Sequence, residues 1–112
     1  MIDYYDKGSK RIKGKKIYKE GRLVKRLAFY SNGQLMLDMP IFKCAEHGNV
    51  KSYTGDAKIK YSVDFRYGFM DGKAFEYYMN GHIKKEINYS HDNKVGDYFE
   101  YDSLSNVILH EN

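Results

Sequence analysis

The sequence predicts an all-β protein: an elongated, twisted antiparallel meander of consecutive β-hairpins, with roughly nine or ten strands of about five to seven residues each. Three observations carry that expectation. Apolar and polar residues alternate along most of the chain, glycine-bearing turns interrupt the alternation, and the pattern recurs at fixed intervals.

The alternation is clearest where Ile59, Tyr61, Val63, Phe65 and Tyr67 interleave with Lys58, Lys60, Ser62, Asp64 and Arg66. A period of two places one set on each side of a strand, so the apolar set is expected to form a dry face that is packed away. Leu35, Leu37, Met39 and Ile41 repeat the pattern, with Asp38 and Pro40 on the opposite side. Ile83, Lys85, Ile87 and Tyr89 repeat it less cleanly, because Lys85 interrupts the apolar row. No segment carries an apolar stripe at helical spacing for three turns.

Glycine-bearing turns punctuate the alternation. Lys7-Gly8, Glu20-Gly21, Asn32-Gly33, His47-Gly48, Tyr67-Gly68 and Asn80-Gly81 each close a short polar stretch between strand-like runs. Tight hairpin turns need positive φ, which glycine and asparagine adopt at low cost, so Gly21, Gly33, Gly48, Gly68 and Gly81 are assigned as structural turn residues. Two places break the rhythm. Ser52-Tyr53-Thr54-Gly55-Asp56 reads as an extra or longer turn, and in Asp102-Ser103-Leu104-Ser105-Asn106 the left-handed residue is expected at Asn106.

The repeat holds without gaps over short stretches. Phe29-Tyr30-Ser31-Asn32-Gly33-Gln34-Leu35 aligns with Tyr77-Tyr78-Met79-Asn80-Gly81-His82-Ile83, residue for residue. Phe75-Glu76-Tyr77 matches Phe99-Glu100-Tyr101 at half that offset, and Gly72 and Gly96 keep the same shorter interval. Such a period marks one supersecondary unit copied in series.

Composition agrees. At 112 residues, with 12 Tyr, 6 Phe, no Trp and one Pro, the chain reads as a single repeat-built domain over 1–112 whose rings pack across strands. The single Cys44 excludes an internal disulfide, which together with an N-terminus lacking an apolar run leads to an expected cytoplasmic location and no transmembrane segment. Charge is lopsided: residues 1–27 hold ten Lys or Arg against three acidic residues, whereas the rest of the chain holds nine against twelve. The basic N-terminal part is read first as a lysine-decorated sheet edge, and second as an attractor for nucleic acid or an anionic surface.

Catalytic and metal chemistry find no arrangement to support them. Cys44, Glu46 and His47 fall together at an expected turn, where solvent and the Glu46 charge oppose thiolate formation. His47, His82, His91 and His110 occupy or flank expected turns without metal-ligand spacing, and no glycine loop leads into a helix to cradle phosphate. No catalytic residue, metal or cofactor is therefore assigned, and the chain is not expected to be an enzyme.

Residues Gly68-Phe69-Met70-Asp71-Gly72-Lys73-Ala74-Phe75-Glu76-Tyr77-Tyr78-Met79-Asn80-Gly81 resemble the unit of the bacterial MORN-repeat-variant family, whose members are often labelled YwqK-type antitoxins. Gly68 and Gly72 fit its glycine pair, and Phe75 stands where the family usually has Trp. The copy from Lys94 to Tyr101 fits more loosely, and Phe29 to Leu35 fits the hairpin half. The resemblance covers about two thirds of the chain, is weakest between Phe42 and Ile59, and implies an elongated sheet of hairpins. It also implies a neutralised protein partner, a toxin in the antitoxin reading.

The expected function is therefore a non-catalytic protein-binding module that docks a partner on its surface. Arg26, Tyr30 and Tyr78, placed opposite the Leu35 row, are the expected contact residues, with Lys10, Arg11, Lys13, Lys15 and Lys16 guiding the approach. The alternative is weak, salt-sensitive binding of nucleic acid through the same basic run. Open sheet edges also make a homodimer an expected partner state.

Overall fold

A computed structural model describes residues 2–4 and 12–111. Its strands are β1 (Ile2–Tyr4), β2 (Ile12–Lys19), β3 (Arg22–Phe29), β4 (Leu35–Phe42), β5 (Ala45–Glu46) and β6 (Gly48–Tyr53) in the first half. They continue as β7 (Ile59–Arg66), β8 (Phe69–Tyr77), β9 (Ile83–Ser90), β10 (Asn93–Lys94), β11 (Tyr98–Tyr101) and β12 (Val107–Glu111). Ten of them follow one another across a single antiparallel sheet in the order β1-β2-β3-β4-β6-β7-β8-β9-β11-β12, and the short β5 and β10 pair beside β4 and β9. The all-β meander read from the sequence is what forms.

Dimensions follow from strand geometry. Ten strands about 4.8 Å apart span close to the observed 49 Å, and eight residues at about 3.3 Å each approach the 31 Å width. The 18 Å depth exceeds a flat sheet, as the right-handed twist of strands requires.

The repeating unit is two strands and the turn at each end of them. Leu35, Ile59, Ile83 and Val107 begin equivalent strands at equal spacing along the chain. Preceding each is the same kind of turn: Tyr30 to Gln34, Thr54 to Lys58, Tyr78 to His82 and Asp102 to Asn106, each closed by a backbone bond from first residue to last. The fourth position is left-handed every time, as Gly33, Ala57, Gly81 and Ser105 at φ of 88°, 72°, 89° and 70°. A side chain closes the turn as well. Asn32 accepts from the Gln34 amide, Thr54 from Lys58, Asn80 from His82, and Asp102 from both Leu104 and Asn106. Short polar side chains that bond their own backbone are what such turns select.

The opposite end carries tighter turns with positive φ at both centres, at Glu20-Gly21, Lys43-Cys44, Tyr67-Gly68 and His91-Asp92. That is the primed-turn pattern whose twist matches the flanking strands. The turn expected at His47-Gly48 is therefore misplaced, and Lys43-Cys44 makes it. Gly48 instead opens β6 at φ 113°, where a Cβ would meet the Pro40 ring at 3.1 Å. It marks a bulge: Ile41 faces Glu46, but Leu37 faces Ser52, so the second strand carries an extra pair of positions. Gly72 and Gly96 recur in equivalent places one and two units later. Between β2 and β3 the offset is half as large, from Tyr18 facing Leu23 to Ile17 facing Lys25, which brings the starts of β2 and β4 one position closer than those of later units.

Four other sequence expectations are corrected. The stretch Ser52 to Asp56 is no extra turn but part of the ordinary turn of the repeat with Ala57 replacing glycine, and its long interval from Gly48 to Gly68 vanishes once Gly48 is recognised as a bulge. Ser105, not Asn106, takes the left-handed place in the last turn, because Asn106 must return a carbonyl to Asp102. The apolar face is not packed away either. Among the described residues no second layer covers the sheet, and only Ile41, Val50 and Ala74 of the hydrophobic side chains are buried. His110 lies within β12 rather than at a turn.

Candidate protein-binding face

Cross-strand partners in an antiparallel sheet point the same way, so register assigns each side chain to a face. Lys16 faces Arg26, Arg26 faces Met39, and the pairing of β4 with β6 brings Met39 in line with Val50. Val50 faces Val63, Val63 faces Ala74, and Ala74 faces Ile87. This is a continuous apolar row running from β4 to β9, entered at its basic end by Lys16 and Arg26.

Two positions along each strand, a second row runs beside the first on the same face. Leu37 faces Ser52, Ser52 faces Tyr61, Tyr61 faces Glu76, Glu76 faces Lys85 and Lys85 faces Glu100. Its later half is a polar ladder. The Tyr61 hydroxyl donates to Glu76 Oε1 at 3.1 Å, and Lys85 Nζ stands 3.9 Å from Glu76 and 3.8 Å from Glu100. Tyr98 closes it, donating to Glu100 Oε1 at 2.8 Å.

Those bonds shift the phenols. Donation to Glu100, aided by burial and the negative charge, pushes Tyr98 up to about 12. The bond to Glu76 likewise raises Tyr61. Loss of either phenolic proton would leave two anions in contact.

Between the rows lies an open trough of about 290 Å³, lined by Val63, Met70, Ala74 and Ile87 with Tyr61, Tyr89, Glu76 and Lys85 among its walls. An apolar floor with a few polar groups at its rim can hold a side chain or a turn of another protein.

Sequence-assigned contact residues separate into three groups. Arg26 is exposed but pairs with Met39, so it lies on the Leu37–Met39 face rather than opposite the Leu35 row. Tyr30 and Tyr78 are half-buried with their hydroxyls occupied, donating to the carbonyls of Tyr53 and Tyr101 at 2.7 Å each. They tie one turn to the next, as Asn32 and Asn80 do by donating to Gly55 and Ser103 at 3.0 and 2.8 Å. Lys13 and Lys15 are exposed on β2 and Lys16 is half-buried, whereas Lys10 and Arg11 lie outside the described residues, as does the turn at Lys7-Gly8. Gly21, Gly33, Gly68 and Gly81 sit in turns as assigned.

Cys44 is exposed at the tip of its turn. His47 Nδ1 accepts from the Tyr67 amide at 3.2 Å, and its ring packs against both Phe42 and Tyr67 at 5.4 and 4.7 Å. His82 Nδ1 meets Ser105 Oγ at 3.0 Å, His91 packs on Phe69, and His110 stacks on Phe99 beside Asp97. Each imidazole thus has a neighbour in its own part of the sheet. Among the described residues, no three His, Cys, Asp or Glu side chains converge in a way that could hold a metal ion.

Sequence reasoning missed the ladder. Its signal was present, since Tyr61 and Lys85 stand one repeat apart, as do Glu76 and Glu100. No family model, curated protein or solved structure matches the chain. Among the described residues, no helix is long and apolar enough to cross a membrane.

Proposed function

We propose that this chain is a non-catalytic protein-binding module that docks another protein on the face carrying the Met39–Ile87 row. One observation carries the reading: an apolar row running from β4 to β9, where Met39, Val63 and Ile87 stay partly exposed around the buried Val50 and Ala74, has no covering layer among the described residues, and a polar ladder with fixed register runs alongside it. Apolar anchors beside oriented polar groups supply both affinity and specificity at protein interfaces. The antitoxin or immunity role rests on the resemblance of Gly68–Gly81 to the MORN-variant unit, and the cytoplasmic setting rests on the single Cys44.

The test compares capture by the native chain with capture by Ile87→Lys, using Lys51→Glu on the opposite face as control. A partner retained in stoichiometric amount by the native chain and by Lys51→Glu, and lost with Ile87→Lys while circular dichroism is unchanged, supports the reading. Equal capture by all three sinks it. An adjacent reading frame whose toxicity this chain suppresses would establish the finer role.

A second reading is favoured by Lys13, Lys15, Lys19 and Arg22, exposed together on the face of β2 and β3 opposite Arg26, with Glu20 as the acidic residue at the turn between the strands. Such a patch binds nucleic acid or an anionic surface weakly and with strong salt dependence. Absence of retention of short RNA and single-stranded DNA at low salt would end this alternative.

A further inference from the structure

We infer that the sheet continues from one copy of this chain into the next, the outer edge of β12 pairing with the outer edge of β1 of a second copy. This goes beyond the binding face proposed above and uses a different surface, so each stands or falls separately.

Among the described residues the β12 edge is open: only β11 pairs with it, and Val107, Ile108 and Leu109 are 54%, 62% and 37% exposed. Neither Lys nor Pro stands in the strand to discourage a further partner, although these are the usual guards of an edge. At the far end, among the described residues, β1 pairs only with β2.

The two edges are of complementary kind. Strands β2, β4, β7, β9 and β12 form one class, and the strands that alternate with them form the other. Beyond β2, β1 occupies a place of the second class. Its register shows the kinship: Asp3 faces Gly14 and Tyr4 faces Ile12, the same skip as Ala28 facing Leu37 and Phe29 facing Leu35. Each internal strand of the first class has second-class neighbours on both sides. The neighbour that β12 lacks is thus of the kind that β1 provides.

Charge selects the same pairing. Residues 97–112 carry four acidic side chains and no Lys or Arg, whereas β1, which itself holds Asp3, lies against β2 with Lys13, Lys15, Lys16 and Lys19 and no acidic residue. A β12–β12 contact would oppose two acidic ends, and a β1–β1 contact two basic ones. Only β12 against β1 joins opposite signs, and attraction of this type fades as salt shortens its range. A contact between unlike surfaces that does not close on itself produces an open stack. Edges this short bury far less than the roughly 800 Å² per partner of a standard interface, so stacking is weak and needs concentrated protein.

Sedimentation of the whole chain at high concentration decides it. At low salt the mean mass should climb several-fold above the monomer, and near 0.5 M salt, where the screening length falls to about 4 Å, it should return to the monomer. Ile108→Lys should stay monomeric at low salt with an unchanged circular dichroism spectrum. Because that variant keeps its β1 edge, adding one part in ten to the native chain should cap growing stacks and lower their mean mass. If Ile108→Lys fails to fold, Glu111→Lys, at an exposed position of the same edge, should weaken assembly at least several-fold. A native chain that remains monomeric at low salt overturns the inference. So does one that stops at a dimer, or a stack indifferent to both salt and these substitutions.

Discussion

The hydroxyl of Tyr78 donates to the carbonyl oxygen of Tyr101 at 2.7 Å, fastening one turn to the next turn along the sheet. Tyr30 makes the same bond to Tyr53, across an equal stretch of chain. With no second layer on the sheet among the described residues, such straps between neighbouring units take over part of what a packed interior does elsewhere.

Tyr78→Phe should therefore destabilise the fold by about 1 kcal/mol, the usual net worth of a hydrogen bond, while leaving the ring's packing intact. Urea unfolding followed by circular dichroism measures it. A change within error of zero would show that water replaces the strap at no cost.

Position four of the turn supplies a paired test. Ala57 holds φ 72° where Gly81 holds φ 89° in the equivalent place, and nothing lies within 4 Å of a Cβ added at Gly81. Gly81→Ala should thus cost only the left-handed penalty of about 1–2 kcal/mol. Ala57→Gly should relieve the same strain, with a smaller gain because glycine loses about 0.5–1 kcal/mol more to chain entropy. Opposite signs in thermal unfolding are the expected result.

Acid should loosen the last turn first. The Asp102 carboxylate accepts from the amides of Asn106 and Leu104 and from the Asn106 side chain, and these bonds, led by the Asn106 amide, lower its pKa. A carboxyl lowered in the folded state gives stability that is present above its unfolded pKa and lost as pH falls through its folded value. Protection of the Leu104 and Asn106 amides, relative to the free-peptide exchange rate at each pH, should fall below the normal carboxylate range, and Asp102→Ala should show low protection at neutral pH with no such dependence.

Base should act on the ladder. Tyr98, raised to about 12 by its bond to Glu100, keeps its proton in the folded chain after unfolded tyrosines have lost theirs. The sign is thus reversed: the contribution is complete below about 10 and disappears as pH rises toward 12. Carbon-13 shifts of the tyrosine Cζ should show Tyr98 titrating late, and Glu100→Gln should bring it back toward the ordinary phenol value.

Much of this architecture is legible in the amino acids. Strict alternation around Tyr61 and Val63 predicts strands, and the matched segments at Tyr30 and Tyr78 predict a period, because steric and pleat rules act locally. Gly48 misleads for a physical reason: glycine serves positive φ in a bulge as readily as in a turn, while Lys43 and Cys44 adopt that conformation under the pull of the strands they join. Tyr30 and Tyr78 look like contact residues in the sequence because it does not reveal a hydroxyl's partner on the next turn. Arg26 falls on the face opposite to the expected one, since the bulges shift each strand's phase relative to its neighbour.

That no second layer covers the sheet among the described residues also decides how this molecule comes apart. Each of the described strands is held by those beside it, so no central knot must be broken before the rest lets go. Melting should proceed as an unzipping from the two flanks, with the amides of β6 and β7 the last to surrender their protons to solvent.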